Sequence, residues 1–233
     1  MRLEKIKNFS LKDVILISSL PDMGKVGGLV SEFLSKTLDT KVAAKIILSD
    51  KPWVNQKEGL IFLPIDEYKF VVDEKNSIVI FTGDNQPQEA KTVIEMTDLV
   101  FSTVSEMGNL KMIISTGGYF PIEPKNGNGV YGVATNEKSL KLLNSFNVFP
   151  LGSEVSSITW FNGLILGKAK ENNVDGLGLF GEIEETDLPQ YSAAVNILKI
   201  LEKILKIKLE TKELEEKIIP LSQESKEQRP GIG

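Results

Sequence analysis

The recurring pattern with chemical content in this sequence is an apolar run that ends in glycine beside small, hydroxyl or acidic residues. It occurs four times: Leu20 to Gly28, Thr82-Gly83-Asp84-Asn85-Gln86-Pro87, Ser115-Thr116-Gly117-Gly118-Tyr119 and Phe180-Gly181-Glu182. Glycine lets an anion or another backbone come close, and a helix that starts just after it offers unpaired N–H groups with partial positive charge. The first segment contains Met23-Gly24-Lys25-Val26-Gly27-Gly28, the stretch most like a phosphate loop. It lacks the Gly-Lys-Ser/Thr ending of a P-loop and the glycine triplet of a dinucleotide fingerprint. A candidate ligand pocket therefore comprises Gly24, Lys25, Gly27, Gly28, Thr82, Gly83, Asp84, Gly117, Gly118 and Glu182. The competing reading of the glycines is tight packing of strand against helix. Asp84 either positions a ribose or proton, or caps the helix entered at Pro87. Glu182 with Glu184, Glu185 and Asp187 is either a hard-cation site or a solvated acidic turn.

Composition narrows the chemistry available to such a pocket. The 233 residues contain no histidine and no cysteine. This removes Ser-His-Asp and Cys-His catalysis, zinc fingers, thiolate redox chemistry and histidine-ligated haem. Acid–base work would fall to Asp, Glu, Lys or Tyr, and no cofactor or metal is expected. Arg2 and Arg229 are the only arginines, so bidentate phosphate or base recognition has almost no donors. With a net charge of −5, nucleic acid is not an expected partner. No 18-residue apolar run and no signal-peptide core occur, so a cytoplasmic protein without a membrane span is expected.

The elements that must position these segments alternate between β and α patterns. Val14–Leu20, Val42–Leu48, Ser77–Thr82, Lys111–Thr116, Val130–Ala134 and Val174–Phe180 are strand-like runs. Leu60–Ile65 and Tyr68–Val72 suggest a hairpin about Pro64–Glu67. Helical spacing spans Gly24–Leu38, Pro87–Met107, Asn136–Leu143 (with Asn136 as the cap), Ser157–Asn172 and Ser192–Lys208. The pattern predicts a single α/β domain over residues 1–219, with a mostly parallel or mixed central sheet flanked by helices. Residues 220–233 form a polar C-terminal tail predicted to be flexible.

Trp160-Phe161 and the last helix stand out as apolar surfaces. Val195, Leu198, Leu201, Ile204 and Leu205 form one stripe, and Ile197, Ile200 and Ile207 widen it. A helix apolar on two faces is either deeply buried or shared with another subunit. Trp160, Phe161, Ile197, Ile200, Leu201, Ile204 and Ile207 are the candidate interface.

Taken together, several segments resemble the PAC2 family, the proteasome assembly chaperone 2-like proteins of archaea and eukaryotes. They are Gly24-Lys25-Val26-Gly27, Thr82-Gly83-Asp84 with Gln86-Pro87, Gly117-Gly118, Val130-Tyr131-Gly132-Val133-Ala134-Thr135, the run Ser157 to Leu166, Gly181-Glu182, and Pro189 with Ala193-Ala194. The similarity runs from about residue 10 to residue 219. It implies a phosphorylase/hydrolase-like α/β fold, self-association as a homo-oligomer, and proteasome α-subunits or related assembly factors as partners. Ring subunits expose apolar edges while they assemble, and a chaperone that covers them needs complementary surface but no catalytic triad.

The chain departs from the family in two places. It ends Gly231-Ile232-Gly233, where some proteasome-binding relatives end in a hydrophobic residue, a tyrosine and one more residue. Lys25 also stands where the family often has Asn, which bears on any shared pocket. The alternative class is an enzyme with a glycine-edged phosphate or nucleotide pocket, since the resemblance also touches nucleoside phosphorylases and ATP-grasp-like ligases. A third reading is a scaffold that keeps only a vestige of that pocket.

Overall fold

The fold is described from a computed structural model, which covers residues 1–49, 51–122, 124–125 and 128–218. The tail expected at 220–233 lies outside the described residues. From the N-terminus run β1 (Arg2–Lys5), β2 (Leu11–Ser18), a single 3-10 turn (Met23–Lys25), α1 (Val26–Thr37) and β3 (Lys41–Leu48). Next come β4 (Asn55–Lys57), β5 (Leu60–Phe62), β6 (Asp66–Asp73), β7 (Ile78–Gly83) and α2 (Ala90–Met107). The second half contains β8 (Gly108–Tyr119), β9 (Val130–Ala134), α3 (Glu137–Ser145), β10 (Phe149–Pro150) and α4 (Trp160–Glu171). It closes with β11 (Asp175–Glu182), α5 (Tyr191–Leu205) and α6 (Lys212–Glu215).

Nine strands make one mixed sheet in the order β1-β3-β6-β7-β2-β8-β11-β9-β10. The four central strands β7, β2, β8 and β11 are mutually parallel, so their carboxyl ends share one edge. Outside them β6, β3 and β1 pair antiparallel, as β9 does with β11. The central strands read as continuous apolar runs because both faces are covered. Period-2 alternation divides them: Ile15, Ile17, Ile78 and Ile80 face the layer of α1 and α5, whereas Leu16, Val79 and Phe81 face that of α2 and α4.

Most sequence expectations hold at the level of elements. Asn136 caps α3, its side-chain oxygen accepting the Ser139 N–H at 2.9 Å. The hairpin expected about Pro64–Glu67 does not form. Leu60–Phe62 instead folds back on Asn55–Lys57 through Glu58-Gly59, whose φ values of 52° and 81° give the twist that two-residue hairpin turns require. Tyr68 belongs to β6, which pairs with β3 and β7. Among the described residues, no helix is long and apolar enough to cross a membrane.

The core on the α2–α4 side is built around Phe81. Its ring lies 4.9 Å from Phe70, 5.2 Å from Phe161 and 5.9 Å from Tyr68, centroid to centroid. All four side chains are fully buried. Edge-tilted aromatic pairs add to the area they bury, and an emptied site among three rings cannot collapse. Phe81→Ala is expected to cost about 3–5 kcal/mol, read as a lower denaturant midpoint at unchanged m-value.

Candidate functional site

The segments singled out in the sequence meet at the carboxyl edge of the four parallel strands, the usual crevice of an open α/β sheet. A residue outside the expected pocket, Asp22, organises the meeting. It lies four positions past the end of β2 and turns its carboxylate back into the junction. Oδ1 accepts the Gly27 N–H at 2.9 Å and Oδ2 accepts the Gly118 N–H at 2.7 Å. The first bond ties the start of α1 and the second ties the end of β8. The glycines make the approach possible. A Cβ on Gly27 would sit 2.7 Å from the carbonyl oxygens of both Leu20 and Thr116. Gly117 packs directly against the Asp22 carboxylate. Burial pushes the Asp22 carboxyl up from 3.8 to about 7, against the lowering effect of the two amide bonds.

Behind Asp22 lies a buried polar network. The Asn162 side chain accepts the Leu20 N–H at 2.9 Å and donates to the carbonyls of Leu20 and Thr116. Ser115 Oγ donates to the Asn162 carbonyl, and Ser19 Oγ accepts the Thr116 N–H. Thr82 joins from β7, its hydroxyl 3.2 Å from that of Ser31 in α1. Gln86 spans the gap above, donating to the Pro21 carbonyl at 3.0 Å and accepting the Phe161 N–H at 3.2 Å. The loops after β2 and β7, the end of β8 and the starts of α1 and α4 are thereby joined by hydrogen bonds.

Asp22 and Gln86 form a ridge between two clefts. One, of about 680 Å³, is polar and lined by Lys25, Glu32, Lys69, Thr82, Asp84 and Gln86, among others. The other, of about 640 Å³, is apolar, with Met23, Tyr119, Phe120, Ile158, Trp160 and Phe180 in its wall. Phe120 and Trp160 stand 58% and 46% exposed at this groove. Trp160 has φ 58°, a left-handed conformation uncommon for an aromatic residue. Beside it, the Tyr119 hydroxyl donates to Glu154, and burial together with that carboxylate pushes the phenol up to about 12.

The expected pocket residues thus share one edge but not one cavity. Lys25, Gly28, Thr82, Gly83 and Asp84 line the polar cleft, and Gly118 lines the apolar one. Gly24 and Gly27 are buried in the packing between loop and strand. Their amides are already bonded, that of Gly24 to the Thr186 carbonyl at 2.7 Å and that of Gly27 to Asp22. Asp84 is exposed and does not cap α2, because that helix begins at Ala90 with Glu89 in the cap position. Glu182 turns inward and accepts the Lys125 N–H at 2.8 Å, with the Tyr131 hydroxyl 3.4 Å away. Glu185 accepts the N–H groups of Thr186 and Asp187, so the acidic run is a turn. Among the described residues, no group of three acidic side chains is placed to hold a metal ion.

The candidate interface residues also divide. Phe161, Ile197 and Leu201 are fully buried in the chain's own core and Ile200 nearly so, while Ile204 and Ile207 are partly covered. The width of the α5 stripe is accounted for by burial inside the molecule. Trp160 alone of the set is exposed. Asp22 is not among the expected pocket residues because it sits between the apolar run that ends at Leu20 and the glycines that begin at Gly24. The available signal was an aspartate just ahead of a glycine-rich helix start, the pattern of a residue that accepts helix N–H groups.

The PAC2 family model matches residues 16–229. Among solved structures, the chain is similar to PbaB of Pyrococcus furiosus, described as an archaeal proteasome activator. Identity is 24%, the TM-score is 0.77 and 93% of each chain is covered. It is also similar, at 24% identity and a TM-score of 0.75, to PbaA of the same organism, described as an archaeal homolog of proteasome-assembly chaperone; 93% of this chain and 91% of that chain are covered. A Mycobacterium tuberculosis proteasome-assembly chaperone homologue aligns at 12% identity and a TM-score of 0.67, over 88% of this chain and 90% of that one. No curated protein matches the sequence.

The proton affinity of Asp22 gives this edge a signature. Its folded value near 7 exceeds the unfolded 3.8, so between these values the native chain holds a proton that the unfolded chain has released. The stability contributed by Asp22 is therefore complete below about pH 4 and is lost as pH rises toward 7. Asp22→Asn should flatten this component: thermal midpoints of wild type and variant, compared from pH 4.5 to 8, should converge or cross as pH rises. Asp22→Ala removes both acceptors and should cost about 1–3 kcal/mol for each amide left unbonded.

Proposed function

The chain belongs to the PAC2 family, and from that membership we propose that it is a non-enzymatic, homo-oligomeric chaperone-like protein that binds α-subunits of the 20S proteasome. The relatives described as an assembly-chaperone homolog and a proteasome activator support the partner class. The observation that carries the reading lies at the carboxyl edge. There the Gly24, Gly27 and Gly118 amides that would cradle an anion are bonded within the chain. Beside them opens an apolar groove with Phe120 and Trp160 exposed. A site whose donors are committed and whose wall is aromatic suits the covering of an apolar protein surface. Asp22 itself occupies the position a ligand phosphate would take against these amides, and Lys25 is not accompanied by an arginine.

Native mass spectrometry with 20S α-subunits at micromolar concentration should show a complex. Changing both Phe120→Asp and Trp160→Asp should weaken it at least tenfold, about 1.4 kcal/mol, with the thermal midpoint little changed. Aspartate also accepts the left-handed backbone at position 160. Absence of any complex counts against the reading. ATP, nucleosides and phosphate should leave thermal stability unmoved. A genuine nucleotide pocket would instead give about 2.7 kcal/mol at one hundred times its dissociation constant.

A further inference from the structure

A further cavity, of about 380 Å³, opens beside the apolar groove and shares the Tyr119 wall with it. Its lining is aromatic by register: Phe149 of β10 lies opposite Tyr131 of β9, and Tyr119 ends β8. The Tyr119 and Tyr131 rings meet edge to face at 4.7 Å, and Phe149 lies tilted at 5.7 Å from Tyr131. Both tyrosines are buried, whereas Phe149 is exposed at the mouth. Each phenol is bonded to a carboxylate: Tyr119 donates to Glu154, and Tyr131 donates to Glu182 at 3.4 Å. Donation of this kind leaves electron density on the ring, and that density is what draws a cation to an aromatic face. Burial pushes both phenols up, so they remain neutral donors. The Tyr119 hydroxyl in turn holds the Glu154 carboxyl below its usual value, so Glu154 is an anion. Glu154 lines the cavity, is exposed, and forms no ion pair among the described residues. The chain's own Lys125 marks where a cation settles, its Nζ standing 5.9 Å from the Phe149 centroid.

We propose that this cavity is a cation-recognition site, which takes the ammonium group of a lysine side chain on a polypeptide seated in the adjoining apolar groove. Two observations select an ammonium as the occupant. The three rings offer π faces and no free donor, because the tyrosine hydroxyls are already committed to carboxylates. Glu154 supplies a negative charge that has no cation of its own. A neutral apolar occupant would desolvate that charge without pairing it, and an anion would be repelled by it. Lys125 is exposed and yields the mouth at little cost, since its reach over Phe149 is a surface contact. The inference rests on the functional reading for the identity of the polypeptide, whereas recognition of the cation is a property of the cavity itself.

The chain has four tyrosines, so ring resonances of the full-length protein report the site directly. Butylammonium chloride, titrated at millimolar concentration, should move the Tyr119 and Tyr131 rings saturably and leave Tyr68 and Tyr191 still. Butanol, its neutral counterpart, should move none of them. Phe149→Leu keeps apolar area but removes the ring, and should weaken the ammonium about threefold. Glu154→Gln keeps an acceptor for Tyr119 but removes the charge, and should weaken it by a similar factor. The double variant should also weaken the complex with 20S α-subunits roughly tenfold, at an unchanged thermal midpoint. Equal response to butylammonium and butanol, no response to either, or an α-subunit complex indifferent to the double variant would each overturn the proposal. Butylammonium binding by a protein that forms no complex with α-subunits would sink the client reading alone and leave cation recognition standing.

Discussion

A half-buried carboxyl group between two backbone amides is the constraint on which the working edge of this molecule depends. Asp22 holds the first turn of α1 through Gly27 and the end of β8 through Gly118, in a place where an ionised acid is poorly solvated. Desolvation wins the balance: two charge-assisted hydrogen bonds lower the proton affinity and burial raises it further, which leaves the group near neutrality. The arrangement tolerates no Cβ at Gly27, where two carbonyl oxygens already occupy the space. Glycine here answers close approach, not flexibility. Asn162 and Gln86 extend the same logic outward, Asn162 joining the loop after β2 to β8 and Gln86 joining that loop to the start of α4. A network of this kind has value only when complete, because each unmade bond leaves a buried polar group at full desolvation cost.

At this edge the Gly24, Gly27 and Gly118 amides are bonded within the chain. A helix start after a parallel strand ordinarily presents unpaired amides to an anion. In this chain the acceptor is supplied from within, by Asp22 two positions beyond Leu20, whose two carboxyl oxygens take the Gly27 and Gly118 amides. The polar cleft keeps both signs of charge, Lys25 and Lys69 near Glu32 and Asp84, and so presents no concentrated positive potential. The apolar cleft across the ridge offers area in place of charge.

The fold was largely legible because its signals are local. Apolar β-branched runs marked the central strands, 3.6-residue spacing marked the helices, and Asn136 announced its cap three residues ahead of the amide it accepts. The convergence of the four glycine-bearing strand ends followed from parallel topology. What could not be read depends on partners distant in sequence. Asp22 meets Gly118 across 96 positions, and Asn162 meets Leu20 across 142. Trp160 and Phe161 are adjacent and equally apolar, yet the first lies in a groove and the second in the core. Nothing in the dipeptide separates them, because the difference comes from the turn that Trp160 makes into α4. The breadth of the α5 stripe was ambiguous for a similar reason: a helix clamped between sheet, α1 and α6 is wetted on little of its surface, and interior burial mimics a subunit contact.

The hairpin at Glu58-Gly59 shows the same limit. Pro64 is a strong turn signal, and Glu58-Gly59 is a weaker one unless the residue before glycine accepts a left-handed backbone. The structure takes the weaker signal because Tyr68 to Val72 has a better use, between β3 and β7 in the main sheet. The preceding apolar run is then left with only Asn55 to Lys57 as a partner. Its hydrophobicity is excess relative to what one chain can bury. In a molecule whose core has absorbed Ile197, Leu201 and Phe161, this run and the groove at Trp160 are two of the places where apolar surface remains in water. Leucine, isoleucine and phenylalanine left exposed in one unbroken segment weaken solubility unless another polypeptide covers them.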